Sequence, residues 1–147
     1  MRSWRLARKR FAALDGAGAR LYGGRWNRRG QSVVYSSENL SLAVLEVIVH
    51  LELALEDFPA DYVKIAIEIP EALLLERIEA LPRTAARTRE IGANWCDSAK
   101  SVGLLVPSVI VPEEHNLLLN PRHPQFESIK ALPTKPFHLD PRLLGQS

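Results

Sequence analysis

Residues 62–69 read YVKIAIEI, and this stretch constrains the fold more than any other in the chain. Every second residue is a large branched apolar one: Val63, Ile65, Ile67 and Ile69. This alternation has the two-residue period of a strand with one face in a core. Pro70 ends the pattern because proline has no amide proton to give to a sheet. We therefore expect a half-buried β-strand here.

Local patterns predict several other elements. In chain order they are a loop over the glycine-rich residues 16–30, a short strand at 33–35, a helix at about 39–55, one or two surface helices at 84–99 anchored by Trp95, a strand at 106–112, an irregular segment at 116–124 and an extended tail at 133–144. Strands and helices do not alternate regularly along the chain. The sequence therefore favours an α+β fold, with a mixed β-sheet core and surrounding helices, over a doubly wound parallel sheet.

Residues 1–147 have the length and composition of one globular domain, with 46% hydrophobic and 24% charged residues. The longest apolar runs are interrupted by Glu46 and His50, so we expect no membrane-spanning segment. The basic first residues are followed by no long apolar run, so we expect no secretory signal and a cytoplasmic location. The lone Cys96 permits no intramolecular disulfide, which agrees with a reducing compartment.

Charge is distributed unevenly along the chain. Residues 1–30 carry nine Lys or Arg and one acid, whereas the rest carries ten Lys or Arg and sixteen acids. Three interpretations are open: the two parts neutralise each other across the fold, the cations bind a phosphorylated ligand, or they contact a nucleic-acid backbone. The charge alone does not choose among them.

The glycine-rich segment at 16–30 contains the first candidate for ligand binding. Its GAGARL sequence lacks the third glycine of a dinucleotide fingerprint, and the chain has no P-loop motif. A phosphate would therefore have to be held by side chains. Arg25 is the best candidate, because a guanidinium offers paired hydrogen bonds and the two preceding glycines allow close approach. The alternative is a surface arginine stacked on Trp26.

Two further side chains offer a ring and a hydroxyl. Tyr35 has a flat apolar face suited to stacking on a heteroaromatic ring, or it is a core residue with a satisfied hydroxyl. Ser108 lies at the start of an expected strand, where it can donate to a ligand, but no GxSxG elbow marks it as a nucleophile. The histidines are scattered, with no HExxH motif and no cysteine pair, so we expect no metal site.

Glu46 is the most informative single residue. On a helix that begins near Asn39, it shares a stripe with apolar residues, namely Leu42, Leu45, Val49 and Leu53. A carboxylate on an apolar face needs a partner or a function. The partner would be His50, one turn on, or an arginine of the basic region. The functional interpretation is a carboxylate that lines a cleft where positive charge develops.

Four blocks of the sequence, in order, resemble the RES domain, which is the toxin half of RES–Xre toxin–antitoxin pairs. The blocks are GGRWN (Gly23–Asn27), VVYSSENLSLAVLEVIVHL (Val33–Leu51), PSVIVPEEHNLLLNPRHP (Pro107–Pro124) and FHLDPRL (Phe137–Leu143). They span nearly the whole chain. The resemblance implies a single RES domain over 1–147, with a fold similar to that of ADP-ribosyltransferase toxins.

The resemblance also implies an activity, which is cleavage of the nicotinamide–ribose bond of NAD+. NAD+ is then a substrate and no cofactor is needed, while inorganic phosphate or water is the acceptor. The implied catalytic residues are Arg25, Tyr35 and Glu46. The implied NAD+-binding residues are Arg5, Arg25, Tyr35, Ser108 and Asn116, of which Arg5 and Asn116 rest on the weaker matches. Independently of the family, a carboxylate suits the oxocarbenium-like ribose that such a cleavage produces.

An Xre-type DNA-binding antitoxin is the implied partner, and we expect it to assemble with this chain and cover the NAD+ cleft. Direct binding of this chain to nucleic acid or membrane is not expected. Two alternatives stay open: a nucleic-acid-binding protein that uses the basic N-terminal region, and an interaction module without catalytic activity. The first explains the early cations but not a glutamate on an apolar helical stripe.

Overall fold

The computed structural model describes residues 1–51 and 59–145, and within them eight strands form one mixed sheet. The strands are β1 (Arg2–Arg8), β2 (Val34–Ser37), β3 (Tyr62–Glu68), β4 (Leu75–Arg77), β5 (Gly103–Pro107), β6 (His115–Leu119), β7 (Lys130–Ala131) and β8 (Lys135–Pro136). Their spatial order is β4-β5-β6-β2-β1-β3-β7, with β8 also paired to β3. All described pairs are antiparallel except β4–β5, which is parallel.

Three α-helices accompany the sheet in the described residues: α1 (Ala17–Tyr22), α2 (Leu40–Leu51) and α3 (Ala85–Ser98). Short 3₁₀ turns lie at Lys9–Phe11, Pro124–Ser128 and Pro141–Leu144. The predicted α+β class is confirmed by this arrangement. No helix among the described residues is long and apolar enough to cross a membrane.

The strand predicted at 62–69 is β3, and the alternation explains its burial. Ile65 and Ile67 are fully buried and pack with Val34 and Leu117 in the main apolar core. The other face of the strand carries Tyr62, which packs with residues of β1 and α2. Both faces of β3 are therefore covered, one by the core and one by a helix.

The sheet opens between β1 and β2, and this opening positions the site. Whereas β1 pairs with β3 along its whole length, Trp4 and Ser37 are the one described β1–β2 pair. Beyond Trp4 the two strands diverge, and the Arg5 side chain bridges the gap by donating from Nη1 to the Tyr35 carbonyl oxygen at 3.0 Å. A cleft therefore forms over the divergence.

The helices at 39–55 and 84–99 were both predicted, although α2 uses a different face from the predicted one. Its side towards the sheet consists of Leu40, Ala43, Val44, Val47 and Leu51. In the predicted stripe Leu42 is buried, but Leu45 and Val49 are 37% and 52% exposed. The stripe was wrong because α2 packs through the neighbouring side, which leaves Glu46 at the edge of the packed face. Leu53 and the predicted end at 55 lie outside the described residues.

Two predictions about the C-terminal half were wrong. The strand predicted at 106–112 ends at Pro107, because the Ser108 hydroxyl accepts the amide protons of Ile110 and Val111 and so turns the chain. The segment predicted to be irregular contains β6, where Leu117, Leu118 and Leu119 are all fully buried. Because β6 is covered on both faces, its sequence shows no alternation.

The two ends of the chain also differ from the predictions. The glycine-rich segment at 16–30 was predicted to be a loop but contains α1, and β1 lies in the preceding residues, for which no element was predicted. The tail contains only the two-residue strand β8 before its 3₁₀ turn at Pro141–Leu144, so it is less extended than predicted. In the tail, prolines at positions 133, 136 and 141 limit strand formation, since proline cannot donate to a sheet.

Candidate functional site

A cleft of about 430 Å³ lies over the divergence of β1 and β2, between α1 and α2. Five of the six predicted site residues line it: Arg5, Arg25, Tyr35, Glu46 and Asn116. These residues come from β1, the loop after α1, β2, α2 and β6, respectively. The sixth, Ser108, is fully buried and touches Glu46 from behind the cleft wall. Residues that are up to 111 positions apart in the chain are thus brought to one cavity.

The Glu46 carboxylate is held through one of its two oxygens. Oε1 accepts a hydrogen bond from the Ser108 hydroxyl at 2.8 Å and another from the Asn116 amide nitrogen at 2.8 Å. Asn116 is itself fixed, because its Oδ1 accepts from the Ser37 hydroxyl at 2.6 Å. Oε2 accepts no hydrogen bond from a described residue, so it is the oxygen available to a ligand.

Ser108 fixes both Glu46 and the turn that follows β5. Its hydroxyl donates to Glu46 and accepts from the amides of Ile110 and Val111 at 3.0 and 3.1 Å. All the hydrogen-bonding capacity of the hydroxyl is therefore used inside the protein. Ser108 thus supports the Glu46 carboxylate and is not among the residues that line the cleft, and its predicted contact with a ligand stays a prediction.

The sequence predicted His50 or an arginine as the partner of Glu46, and His50 is the one that lies close to it. His50 Nδ1 lies 2.7 Å from the Glu46 carbonyl oxygen and 3.9 Å from its Oε2. The His50 side chain is 61% exposed, so this contact is well screened by water. No arginine among residues 1–51 and 59–145 forms an ion pair with Glu46. The main partners of the carboxylate are the neutral side chains of Ser108 and Asn116.

Arg5 brings a buried cation to the floor of the cleft. Its guanidinium donates to the carbonyl oxygens of Tyr35 at 3.0 Å and Phe11 at 3.2 Å, while its buried Nε has no partner in the described residues. Burial lowers the pKa of Arg5, and the charge of Asp15 opposes this effect. An arginine without a paired carboxylate leaves net positive charge at the cleft floor, which favours an anionic ligand.

Arg25 also lines the cleft, from the loop that follows α1. Its backbone is anchored, since the Thr88 hydroxyl of α3 donates to the Arg25 carbonyl oxygen at 2.9 Å. Within the described residues its guanidinium makes no hydrogen bond, ion pair or cation–π contact. The predicted alternative, an arginine stacked on Trp26, is therefore not observed, and Trp26 is instead buried against α3 residues.

The hydroxyl of Tyr35 makes two hydrogen bonds to the loop that carries Arg25. It donates to Asn27 Oδ1 at 2.6 Å and accepts from the Trp26 amide at 3.0 Å. Burial raises the pKa of this phenol, although the nearby charges of Arg25 and Arg89 oppose the rise. The phenol is therefore a neutral hydrogen-bonding group at neutral pH. Its hydroxyl is occupied by these two hydrogen bonds, and Tyr35 is one of the residues that line the cleft.

Sequence reasoning missed Ser37 and Thr88 and assigned no separate role to Asn27. Ser37 lies two residues after Tyr35 on β2, so the two-residue period of a strand already placed both on one face. Asn27 is fully buried, and its amide donates to the carbonyl oxygens of Ala19, Arg28 and Gln31. No local signal marks Thr88, because its partner lies 63 residues away. Among the described residues, no group of three His, Cys, Asp or Glu side chains is arranged to hold a metal ion.

The sequence of this chain is similar to a known protein family and to several named proteins. A family model described as the RES domain matches residues 2–140. The chain is 38% identical to Toxin Res of Yersinia enterocolitica over 97% of this chain and 99% of that protein. It is 39% identical to the Prs ADP-ribosylating toxin of Sphingobium sp. over 91% of this chain and 88% of that protein.

A solved structure has the same fold. It is the crystal structure of the Mycobacterium tuberculosis MbcT–MbcA toxin–antitoxin complex, in which one chain matches with a TM-score of 0.70 at 19% identity. The match covers 98% of this chain and 86% of that one. It supports the predicted α+β fold resembling the ADP-ribosyltransferase fold.

Proposed function

The chain belongs to the RES domain family, and on this premise we propose that it is the toxin of a toxin–antitoxin pair and degrades NAD+ by cleaving the nicotinamide–ribose bond. Relatives similar over nearly their whole length are named Toxin Res, and another is named an ADP-ribosylating toxin. ADP-ribosylation breaks the same bond of NAD+. The family and the cleft together support the proposed substrate and bond.

The observation that carries the proposal is the Glu46 carboxylate, fixed through Oε1 with Oε2 free in the cleft. When the bond to nicotinamide breaks, its electron pair leaves with the neutral nicotinamide ring nitrogen, and positive charge develops on the ribose. A preorganised carboxylate stabilises that charge without having to reorient during the reaction. Because neutral nicotinamide needs no proton to leave, no general acid is required.

The cations of the cleft complement the other end of the substrate. NAD+ contains a diphosphate, and Arg5 and Arg25 both line the cavity without carboxylate partners among the described residues. Guanidinium groups form paired hydrogen bonds with phosphate oxygens. In the proposed complex they bind the diphosphate, and the Tyr35 ring supports the nicotinamide or the ribose.

An acceptor then completes the reaction at the ribose carbon that nicotinamide has left. An oxygen of inorganic phosphate or of water forms the new bond, which gives a phosphorylated ADP-ribose or ADP-ribose. With water as acceptor the surplus proton passes to solvent. We propose both acceptors as candidates, since the positive charge of the cleft suits a phosphate anion and its opening admits water.

The proposed partner is an Xre-type antitoxin that covers the cleft. The structural neighbour was crystallised as a toxin–antitoxin complex. In this chain the exposed apolar side chains Tyr22 and Val109 line the cleft. A partner that buries them would also block NAD+ from reaching Glu46.

Replacement of Glu46 by glutamine tests the proposed role of the carboxylate. Glutamine keeps the shape and gives Ser108 and Asn116 an amide oxygen in place of Oε1, so we expect an unchanged fold. The charge that meets the ribose cation is lost, and we expect nicotinamide release to fall by about 100-fold or more. The measurement is nicotinamide release from NAD+ by chromatography, with thermal unfolding of each variant.

The matched control is Glu127→Gln, which removes an exposed carboxylate on the 3₁₀ turn at Pro124–Ser128. This variant should release nicotinamide at the wild-type rate. A folded Glu46→Gln protein that is as active as the control would refute the role of Glu46.

A further inference from the structure

A second cavity, of about 390 Å³, lies beside the cleft and is unusually rich in arginine. We call it the arginine pocket; its lining residues are Tyr22, Gly23, Gly24, Asn27, Arg28, Arg29 and Arg89. Arg28 and Arg29 come from the loop after α1, whereas Arg89 projects from α3. Two separate elements therefore direct three guanidinium groups to one cavity.

The three cations of the arginine pocket are not neutralised by the residues that the structure describes. None of these guanidinium groups makes a hydrogen bond or ion pair there. The nearest acids along α3 are engaged elsewhere, since Glu90 pairs with Arg87 at 3.1 Å and Asp97 accepts from Gln31 at 3.0 Å. All three side chains are exposed, so water screens much of their mutual repulsion, and an anion in the cavity would lower what remains.

The loop that carries two of these arginines is held in one conformation. The Asn27 amide binds three carbonyl oxygens of the loop and α1, and Gly23 has φ +72°, a left-handed value that favours glycine. A Cβ built on Gly24 would lie 2.6 Å from the Tyr35 hydroxyl oxygen, so no larger residue fits there. The backbone of the loop beside the pocket is therefore fixed by packing and hydrogen bonds.

The arginine pocket and the cleft share one wall, so they lie on either side of the same residues. Tyr22, Gly23 and Gly24 line both cavities. Arg25 on the cleft side and Arg89 on the pocket side both lie close enough to the Tyr35 phenol to oppose the rise of its pKa. A ligand in the cleft can therefore extend an anionic group over this wall, or a separate anion can occupy the pocket beside it.

We propose that the arginine pocket is a binding site for a phosphoryl group, contacted by Arg29 and Arg89. The proposal rests on the proposed function and deepens it. The phosphoryl group has two possible sources with the same chemistry: the diphosphate of the dinucleotide, or the inorganic phosphate that acts as acceptor. Planar guanidinium groups suit both through paired hydrogen bonds.

The test compares Arg29→Gln and Arg89→Gln with the control Arg83→Gln. Arg83 is exposed and lines neither cavity, so its loss changes net charge equally without touching the pocket. Calorimetry at low ionic strength measures the binding of ADP, inorganic phosphate and, as a phosphate-free probe, adenosine. Arg89→Lys retains the charge but loses the paired geometry, and thermal unfolding verifies that each variant is folded.

We expect the two pocket variants to bind ADP or inorganic phosphate about tenfold more weakly than Arg83→Gln, with adenosine binding unchanged. Weakening of ADP alone identifies the dinucleotide diphosphate as the occupant, and weakening of phosphate alone identifies the acceptor. Both results support the site. The inference is overturned if the pocket variants bind both anions as tightly as Arg83→Gln, or if the wild-type protein binds neither.

This readout separates the pocket from the proposed reaction. Suppose that Arg29→Gln or Arg89→Gln weakens ADP or phosphate binding, but the wild-type protein releases no nicotinamide from NAD+. This result would support the anion site and refute the proposed activity. A protein that releases nicotinamide but binds these anions equally well in all variants would keep the activity and refute the pocket.

Discussion

Glu46 depends on partners that no local pattern in the sequence reveals. Ser108 and Asn116 lie 62 and 70 residues further along the chain, and they reach the carboxylate only because β5 and β6 pair beside β2. A helical stripe was enough to mark Glu46 as costly to bury, although it indicated the wrong apolar face. The residue was predictable, whereas its hydrogen-bond partners depended on the sheet pairing.

Ser108→Ala is expected to weaken both the fold and the site. The change leaves the amides of Ile110 and Val111 without their acceptor and removes a donor from Glu46. Because Ser108 is fully buried, we expect a loss of about 1–3 kcal/mol in the free energy of unfolding, together with slower NAD+ cleavage. Chemical denaturation and nicotinamide release measure the two effects.

The control for this change is Ser128→Ala, which removes a single hydrogen bond from an exposed serine to the Gln125 carbonyl oxygen. We expect little change in its stability or activity. Equal behaviour of the two variants would show that the contacts of Ser108 contribute nothing beyond those of a surface hydroxyl.

At the scale of elements, α3 fixes the loop that carries Arg25. Gly92 lets the helix approach so closely that a Cβ built there would lie 1.8 Å from the Trp26 carbonyl oxygen. One turn earlier, Thr88 donates to the Arg25 carbonyl oxygen. The helix therefore supports the candidate site through backbone contacts, although none of its residues lines the cleft.

Gly92→Ala is expected to displace this loop. The added methyl group would meet backbone atoms that cannot move aside cheaply, so we expect a loss of at least about 1–3 kcal/mol in the free energy of unfolding and reduced NAD+ cleavage. Gly18→Ala is the matched control within a helix, because its Cβ would meet Phe11 at an ordinary 3.6 Å. A Gly92→Ala variant as stable as this control would contradict the close packing of α3.

Elements whose large apolar residues follow a period were predictable, and elements without such a period were not. The alternation of large branched residues in β3 predicted its position, whereas the run of three buried leucines in β6 shows no period. β1 was missed because its apolar residues are separated by arginines. In the sheet, Arg2 forms an ion pair with Glu68 on the neighbouring strand β3, and Arg8 forms one with Asp61, just before β3.

At the scale of the whole molecule, the excess arginines of residues 1–30 include a group paired with acids and a group without acidic partners among the described residues. Arg2 and Arg8 of β1 pair with acids on or next to β3, as the interpretation of mutual neutralisation predicted. Arg25, Arg28 and Arg29 have no such partners among the described residues and face the two cavities. The unpaired charge is thus gathered around two cavities, which suits a small phosphorylated ligand better than an extended nucleic-acid backbone.

The opening of the sheet is a property of the complete fold; the family resemblance implied a cleft for NAD+ but not where the sheet opens. It requires β1 to pair fully with β3 but to meet β2 at one residue pair, which no pattern within either strand encodes. The single domain over residues 1–147 stays a prediction. The RES domain match covers residues 2–140 of it.

The most direct test of the central proposal is to incubate the purified, folded protein, free of antitoxin, with NAD+ in the presence and absence of inorganic phosphate. The products are separated and identified by chromatography. We predict release of nicotinamide, together with a phosphorylated ADP-ribose if phosphate is the acceptor or with ADP-ribose if water is. Intact NAD+ under both conditions would contradict the proposed activity and favour an interaction module without catalysis.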